Sequence, residues 1–572
     1  MRQTFTLFSL ALLGSGSGVH ALPNGGNHPH KRSYDNSNAQ QTLQIPETRP
    51  SGAPVVPADF LGLNVESAFL NNYAKPLSQN LVSSLASRMS AKPIVRVGGT
   101  GGDEFVFDPD QTDHIKICVK GECPTGSAAA FKVGPAFFEG YKAFPDAKMT
   151  IQAPLGPNVN ETLVREFVRR AWDARIGESG DVDWKDRIEA IALGNEPEFY
   201  TKDVGKYVRD TLELEEIVLD ELKLEGADRK IFEVGNNAKQ PVSQYDVAGI
   251  LKHGMNKNKL TKITAEHLYQ IDTQETWDDA NMQKLMLNHQ AITSRLDTDY
   301  MPSLRASHAA GVPYAISETA AVLASPINTF VSGFGFALWV VDFSLANAAR
   351  GVARVNHMAG RPVANHVLWV PDHTAGLRNP GPQARAPLRG GHHGRRFLAA
   401  ENANGPFSVL DKDSEGEVAV HEIDLDTASN PYLSAYAAYS GASSHGNNGN
   451  KLQRVALINM RLYNGTAAAE KGSKRGSETF RIPVGGDVKE VEVRRLHADL
   501  GAAAMGFDHS GPEHNATWAG EQWSKKVDDG RGHFTHGTAE EVQRSASGTV
   551  SRSWRCRIAR RSWCPFKPSE GE

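Results

Sequence analysis

Between about Asp59 and Val370 the chain alternates short, largely apolar runs with longer amphipathic stretches, and this alternation leaves few folds open. The apolar runs are Phe60–Val65, Pro93–Val97, Met149–Ala153, Ile188–Leu193, Ile231–Val234, Ile263–Leu268, Val312–Ile316 and Gly335–Val341. Short, largely apolar runs read as parallel strands covered on both faces. These eight are the number that closes a βα barrel. The stretches between them carry helical periodicity. In Glu161–Ile176, residues Leu163, Val164, Phe167, Val168, Ala171 and Trp172 share one face, and Arg165, Glu166 and Arg169 the other. Leu77–Met89 and Asp203–Leu224 read the same way. The expected fold class is α/β, a (β/α)8 TIM barrel over residues 45–375.

A chain of 572 residues exceeds one ordinary core, so a second domain is expected. After residue 400 the rhythm changes to period two. Phe480, Ile482 and Val484 alternate with Arg481 and Pro483, and Val491 and Val493 with Glu492 and Arg494. Val455, Leu457 and Ile458 form another short strand before the turn Asn464-Gly465. Residues 400–550 therefore read as an appended antiparallel β-sandwich, completed by a strand from residues 45–57.

The N-terminus reads as a secretory signal peptide over residues 1–21. Arg2 precedes an apolar run of Phe5, Leu7, Phe8, Leu10, Leu12 and Leu13, and Val19-His20-Ala21 supplies a cleavage site. Residues 22–44, rich in Asn, Gly, His and Ser, read as a disordered leader. Export agrees with three Asn-x-Ser/Thr sequons, at Asn160, Asn464 and Asn515. Among 4 cysteines, Cys118 and Cys123 are spaced to close a small hairpin in an oxidising compartment. A zinc site is the competing reading, without a second Cys/His pair at ligand spacing. Secretion to the extracellular space is the expected localisation. A net charge of -4 gives no pull toward nucleic acid or anionic membrane, and no other stretch reaches the roughly 18 apolar residues of a membrane helix. Two segments fit neither domain: Gly381–Arg396 and the tail 551–572, both arginine-rich and without apolar periodicity. We read them as irregular, either disordered or the product of a misread gene, in preference to a basic binding patch.

Two glutamates carry the chemistry. Gly194-Asn195-Glu196-Pro197 follows the apolar run Ile188–Leu193, which places Glu196 on the face where barrel enzymes keep their active sites. The competing role is a helix start, with Asn195 as its cap. Ser317-Glu318-Thr319 follows Val312–Ile316 in the same manner. At roughly 40 residues per βα unit the two lie three strands apart, on strands four and seven. Glycoside cleavage needs such a pair, one protonated to assist the leaving oxygen and one ionised to attack the anomeric carbon. No Lys-Ser/Thr completes the glycine-rich Gly98–Gly102 as a phosphate loop. His392-His393 lacks further ligands, and no Gly-x-Ser-x-Gly elbow is present. No cofactor, metal or protein partner is expected; the partner is a glycan substrate.

The Asn-Glu-Pro motif and the second glutamate resemble clan A glycosidases, and the chain as a whole resembles glycoside hydrolase family 79, the fungal β-glucuronidase and heparanase-related group. The likeness rests on Phe60-Leu61-Gly62-Leu63-Asn64-Val65-Glu66, Val95-Arg96-Val97-Gly98-Gly99, Cys118 to Cys123, Gly134-Pro135 with Phe138-Glu139-Gly140, Ile316-Ser317-Glu318-Thr319, and Ala337-Leu338-Trp339 as the last barrel strand. In the second domain Asn459, Arg494-Arg495-Leu496 and Thr517-Trp518-Ala519-Gly520 extend it, so that it covers about residues 45–530. The resemblance implies Glu196 as acid/base and Glu318 as nucleophile of a retaining enzyme acting on terminal β-glucuronides or their 4-O-methyl forms. It implies that Asn195 donates to the sugar 2-OH and that Tyr269 holds the nucleophile. Arg96 would lie beneath Glu318 and keep it ionised, Glu66 would accept glycone hydroxyls, and Trp339 would form pocket wall. Thr319-Ala320-Ala321-Val322 departs from the family's usual Thr-Asn-Ser in a loop that shapes the glycone pocket, and no Lys or Arg occurs from Thr319 to Ala349. The last strand of the β-domain is missing from 551–572. Alternatives are another clan A activity, an endo-glucuronidase or a neutral-sugar enzyme, or a non-catalytic carbohydrate-binding relative.

Overall fold

Eight parallel strands close into a barrel in chain order: β1 (Leu61–Val65), β2 (Ile94–Val97), β3 (Lys148–Ala153), β4 (Ile188–Leu193), β5 (Phe232–Asn237), β6 (Thr261–Ile271), β7 (Tyr314–Val322) and β8 (Arg354–Met358). Closure comes where β8 lies beside β1, with Val355 opposite Leu61 and Met358 opposite Asn64. The computed structural model describes residues 40–103, 105–117, 131–156, 159–177, 182–238, 244–271, 279–323, 333–359, 368–371, 383–384, 418–425, 430–440, 450–463, 477–483, 488–493, 495–504, 516–518, 521–523, 529–534, 543–546, 552–557 and 561–568. The expected signal peptide, Cys118, Cys123, Asn464, Asn515 and nearly all of Gly381–Arg396 lie outside them.

Strands one to seven stand where the apolar runs predict them. The eighth does not. Gly335–Val341 belongs to a helix, Phe334–Arg350, and the closing strand is Arg354–Met358. A short apolar run cannot by itself separate a buried strand from a buried helix; length decides. Here the apolar character continues well past Val341, through Phe343, Leu345, Ala346 and Ala348, and the helix is buried from Phe334 to Ala348. It ends at Gly351, whose φ of 83° suits a helix stop without a side chain.

The helix Glu161–Ile176 matches its predicted limits. Asn160 caps it, its side chain accepting from the Leu163 N–H at 2.9 Å, so this sequon sits on an exposed helix start. No described helix is long and apolar enough to cross a membrane.

In the C-terminal region the strands Val418–Glu422, Leu433–Ser440 and Leu452–Asn459 pair antiparallel. Their alternate side chains serve two cores. Leu433, Ala435, Ala437, Tyr439, Val455 and Leu457 meet Phe480 and Ile482 of the strand Ser477–Ile482 in the sandwich interior. Tyr436, Ala438, Ala456 and Ile458 face the other way, into the core shared with the barrel. The N-terminal segment joins both sheets: Val55–Val56 pairs with Val418–Ala419, and Gln40–Thr42 with Thr479–Arg481. The leader expected up to residue 44 is thus structured from Gln40, with Leu43 buried in the sandwich core. The tail corrects a second expectation. Arg552–Arg557 pairs with Ser477–Ile482, and Arg561–Pro568 fills the place between Leu452–Asn459 and Val488–Val493. Strand pairing uses peptide N–H and C=O groups; apolar alternation marks burial, not pairing, so an arginine-rich strand escapes a search for alternation.

A charged clamp ties barrel to β-domain. His289 Nδ1 lies 2.9 Å from Asp342 Oδ2, and His289 Nε2 lies 2.9 Å from Glu422 Oε1. Both ring nitrogens donate only in the imidazolium form. Burial opposes that charge, but Asp342 and Glu422 outweigh it and push His289 up to about 10. Burial likewise opposes the Glu422 charge, yet His289 and Arg350 hold it down at about 2. The raised histidine contributes stability fully below about pH 6.5 and loses it as pH climbs to about 10. The depressed glutamate contributes fully above about pH 4.5 and loses it toward pH 2. His289→Phe is therefore expected to lower stability by about 3 kcal/mol at pH 5.5 and by far less at pH 10, read from urea midpoints. Equal losses at both would assign His289 a packing role only.

Candidate active site

Barrel strands alternate inward and outward side chains, so residues two apart on one strand share a direction. On β1 this aims Gly62, Asn64 and the following Glu66 inward, on β2 Arg96, and on β6 His267 and Tyr269. Glu318 lies in the middle of β7, not after it, because β6 and β7 run on together to Ile271 and Val322. Thr319-Ala320-Ala321-Val322 is accordingly buried strand, not a loop.

Glu318 receives converging hydrogens. Tyr269 OH donates to its Oε1 at 2.5 Å and Asn64 Nδ2 to its Oε2 at 3.1 Å, while Arg96 Nη1 stands 3.4 Å from Oε2. Arg96 is fully buried and divides its guanidinium among partners. Nη1 donates to Asn64 Oδ1 at 2.8 Å, and Nη2 to Asn195 Oδ1 at 2.9 Å. With Oδ1 engaged by Arg96, Asn195 keeps its Nδ2 for donation. Its backbone N–H is held by Asp103 Oδ2 at 2.9 Å, and Asp103 Oδ1 accepts from Gln152 and Leu155.

Glu196 leaves β4 through a sharp turn. Gly194 has φ 75° and Glu196 itself φ 44°, a left-handed conformation that costs a non-glycine residue about 1 kcal/mol or more. The Glu196 N–H donates to Asn236 O at 2.9 Å, which holds the turn. Glu196 Oε1 lies 3.0 Å from His267 Nδ1. Burial drives His267 down to about 3, so the ring is neutral. Its Nε2 is buried and finds no partner among the described residues. A buried unpaired N–H is rarer than an unpaired acceptor, so we place the proton on Nδ1, donating to Glu196. One oxygen of Glu196, one of Glu318 and a nitrogen of His267 all lie within 4.8 Å of one another.

That trio could in principle hold a cation. The hydrogens of Tyr269 and Asn64 and the charge of Arg96 already occupy the oxygens of Glu318, however, which suits an anion flanked by donors better than a metal ligand.

Glu66 sits beside them, half-buried, accepting from the Gly101 N–H at 3.1 Å. Burial first, then the charge of Glu318, push it up to about 8, so Glu66 carries a proton through neutral pH and can donate as well as accept. The glycine-rich loop finds its reason here. A Cβ on Gly99, whose φ is 142°, would lie 2.1 Å from Glu66 Oε2, and one on Gly101 2.9 Å from Oε1.

Comparison with known proteins adds a second line. The profile of the glycosyl hydrolase family 79 C-terminal beta domain matches residues 435–553. A beta-glucuronidase of Neurospora crassa is 26% identical over 541 residues, covering 86% of this chain and 88% of the relative. One from Aspergillus niger is 26% identical over 544 residues, covering 89% and 91%. Over most of its length the chain is similar to glycoside hydrolase family 79. It is a glycoside hydrolase. The fold agrees with solved structures. A 4-O-alpha-L-rhamnosyl-beta-D-glucuronidase from Fusarium oxysporum superposes with a TM-score of 0.69 at 17% identity, over 92% of this chain and 100% of that one. A family 51 alpha-L-arabinofuranosidase from Bifidobacterium longum gives 0.53 at 11%, over 92% and 99%.

The barrel brings Glu196, Glu318, Asn195, Arg96, Tyr269 and Glu66 to one mouth. Trp339 is not among them. It lies on the helix before β8, wholly buried, stacked on Phe343 at 4.5 Å and edge-on to His357 at 6.1 Å. His357 alternates with the inward Arg354, Asn356 and Met358, so both rings belong to the layer outside the barrel. Asn64, His267 and Asp103 escaped the sequence reading. Asn64 stands two residues from Glu66, and His267 two from Tyr269, a spacing that by itself places each on the same inward face. Tyr269→Phe is expected to lower kcat about 10- to 100-fold, the worth of a hydrogen bond to a charged group, with little change in thermal midpoint. Steady-state kinetics beside a melting curve checks it.

Proposed function

We propose that the chain is a secreted retaining glycosidase that removes terminal β-glucuronosyl units, or their 4-O-methyl forms, from glycans by double displacement. The observation that carries this is the approach of Glu196 and Glu318 to within 4.8 Å. Retaining enzymes hold their carboxyl groups about 5–5.5 Å apart, too close for an intervening water, whereas inverting enzymes need about 6.5–9.5 Å.

In the first step a Glu318 oxygen bonds to the anomeric carbon as the C–O bond to the aglycone breaks, and Glu196 gives its proton to the departing oxygen. In the second, Glu196 takes a proton from water, the water oxygen bonds to the anomeric carbon, and the ester to Glu318 breaks. Asn195 Nδ2 meets the sugar 2-OH, and protonated Glu66 exchanges hydrogen bonds with a glycone hydroxyl. The glucuronide preference draws on the named activities of the Neurospora, Aspergillus and Fusarium relatives. Secretion draws on the N-terminal apolar run and the exposed Asn160 sequon.

The test is release of 4-nitrophenol from a panel of 4-nitrophenyl β-glycosides, with the anomeric configuration of the first-formed product followed by NMR. Glucuronide turnover with a β product supports the proposal. Turnover restricted to a neutral sugar removes the substrate claim, and an α product removes double displacement.

A further inference from the structure

Beneath the two carboxylates the barrel interior holds a column of alternating charge that the reaction scheme leaves unused. Arg96, after serving Glu318 and Asn195 with its two terminal nitrogens, turns Nε to Glu233 Oε1 at 3.3 Å. Glu233, on β5, is fully buried, and neither of its oxygens accepts a hydrogen bond among the described residues. Its other oxygen lies 4.0 Å from Arg354 Nη2 at the start of β8. Arg354 Nη1 is 3.4 Å from Glu189 on β4, and Glu189 is 3.0 Å from Lys262 on β6, whose side chain is 38% exposed. The order from mouth to floor is Glu318, Arg96, Glu233, Arg354, Glu189, Lys262, with the sign changing at every step.

We infer that Glu233 and Arg354 are positioning residues for the reaction, acting through Arg96 on the orientation and ionisation of Glu318. The inference rests on Glu318 being the nucleophile. A buried ion pair contributes little net stability, so six charges of alternating sign lined up through the barrel need another reason. The guanidinium is planar: the Glu233 carboxylate, 3.3 Å from Nε, attracts it from below by charge while one terminal nitrogen meets Asn64 and Glu318 and the other Asn195. The column also sets the field at the mouth. Removing the negative Glu233 leaves Arg96 and Arg354 unopposed and makes the surroundings of Glu318 more positive; removing Arg354 does the reverse. The other groups facing Glu318 are Glu66, Glu196, His267 and Tyr269, and those facing the lower column are Asp59 and Lys148. None of these changes in the variants. Burial works against the lower charges, yet Glu189 and Asp59 keep Arg354 above its ordinary value, and Arg354 and Lys262 keep Glu189 below its own.

The experiment is the pH profile of kcat/KM on 4-nitrophenyl β-glucuronide for the full-length wild type, Glu233→Gln, Arg354→Gln and Lys262→Met. The acid limb is expected to move down by about one pH unit in Glu233→Gln and up by about one in Arg354→Gln. In both, kcat falls about 10-fold while KM stays within about twofold, and Glu233→Asp restores most of the loss. Lys262→Met, at the partly exposed end, moves the limb upward by a few tenths, and it decides the matter if the buried variants do not fold. Acid limbs that stay put while melting temperature falls would overturn the inference and leave the column a structural one. Labelling the wild type with a 2-deoxy-2-fluoro-glucuronosyl fluoride and mapping the modified peptide separates the two claims. A label away from Glu318 overturns the nucleophile assignment, whereas a label on Glu318 with unmoved limbs overturns the column alone.

Discussion

Glu318→Gln is expected to lower kcat on an aryl β-glucuronide by at least about 10⁴-fold, the scale seen when a covalent nucleophile is removed. The amide keeps the shape but not the charge, and it places an NH2 group where Tyr269, Asn64 and Arg96 all present hydrogens. The Tyr269 hydroxyl can turn to accept from that NH2 while the amide oxygen stays with Asn64 and Arg96, so the change removes the charge and leaves the packing in place. KM should change little, because the carboxylate's largest interaction with the sugar forms only on the way to the transition state. Azide added to Glu318→Gly supplies a small nucleophile to the opened space, and the product is expected to be the α-glucuronosyl azide, reversed at the anomeric carbon. Activity of Glu318→Gln within tenfold of the wild type would remove the nucleophile role.

Glu196→Gln should behave differently, and the difference assigns the roles. With a natural glycan or a poor leaving group, loss of the proton donor is expected to slow cleavage about 10²- to 10⁴-fold. With a 2,4-dinitrophenyl aglycone, which leaves without protonation, the first step survives and a burst of dinitrophenol precedes slow turnover. Azide should accelerate Glu196→Gly and yield the β-glucuronosyl azide, since attack now comes on the covalent intermediate. The alkaline limb of the pH profile should vanish as well. Loss of activity to the same degree on both aglycones would deny Glu196 the proton transfer.

Why some of this could be read from the residues and some could not has a physical basis. Strands such as Ile188–Leu193 and Pro93–Val97 announce themselves because a parallel strand buried on both faces is short and largely apolar, with one charge each, Glu189 and Arg96, turned into the barrel. Glu196 and Glu318 stand out because each comes just after such a run, in Gly194-Asn195-Glu196-Pro197 and Ser317-Glu318-Thr319, where a barrel strand meets its mouth. The helix Phe334–Arg350 misleads by the same rule, since it lies between barrel and β-domain, is buried from Phe334 to Ala348, and carries an apolar run as continuous as a strand's over Gly335–Val341. Asn64 and His267 were within reach of the two-residue spacing. Glu233, Arg354 and Asp103 were not: their partners come from strands and loops joined only by barrel closure, and no local pattern marks such a meeting. The tail strands escaped because backbone pairing leaves no mark on side-chain alternation.

The first described residues of the chain pair with strands that follow the whole barrel, Gln40 beside Thr479 and Val55 beside Ala419. During synthesis at about 5–20 residues per second, the N-terminal segment therefore waits on the order of half a minute for its partner strands to leave the ribosome. Until then Leu43 has no sandwich core to enter, and the barrel's Phe334–Arg350 helix lacks its cover from Val418–Glu422. A nascent chain stalled before residue 418 would carry that oily flank into the open, where a chaperone or a second unfinished chain can reach it. The two folding units thus mature together, and shortening the gene to its barrel would yield a sticky fragment in place of a smaller enzyme.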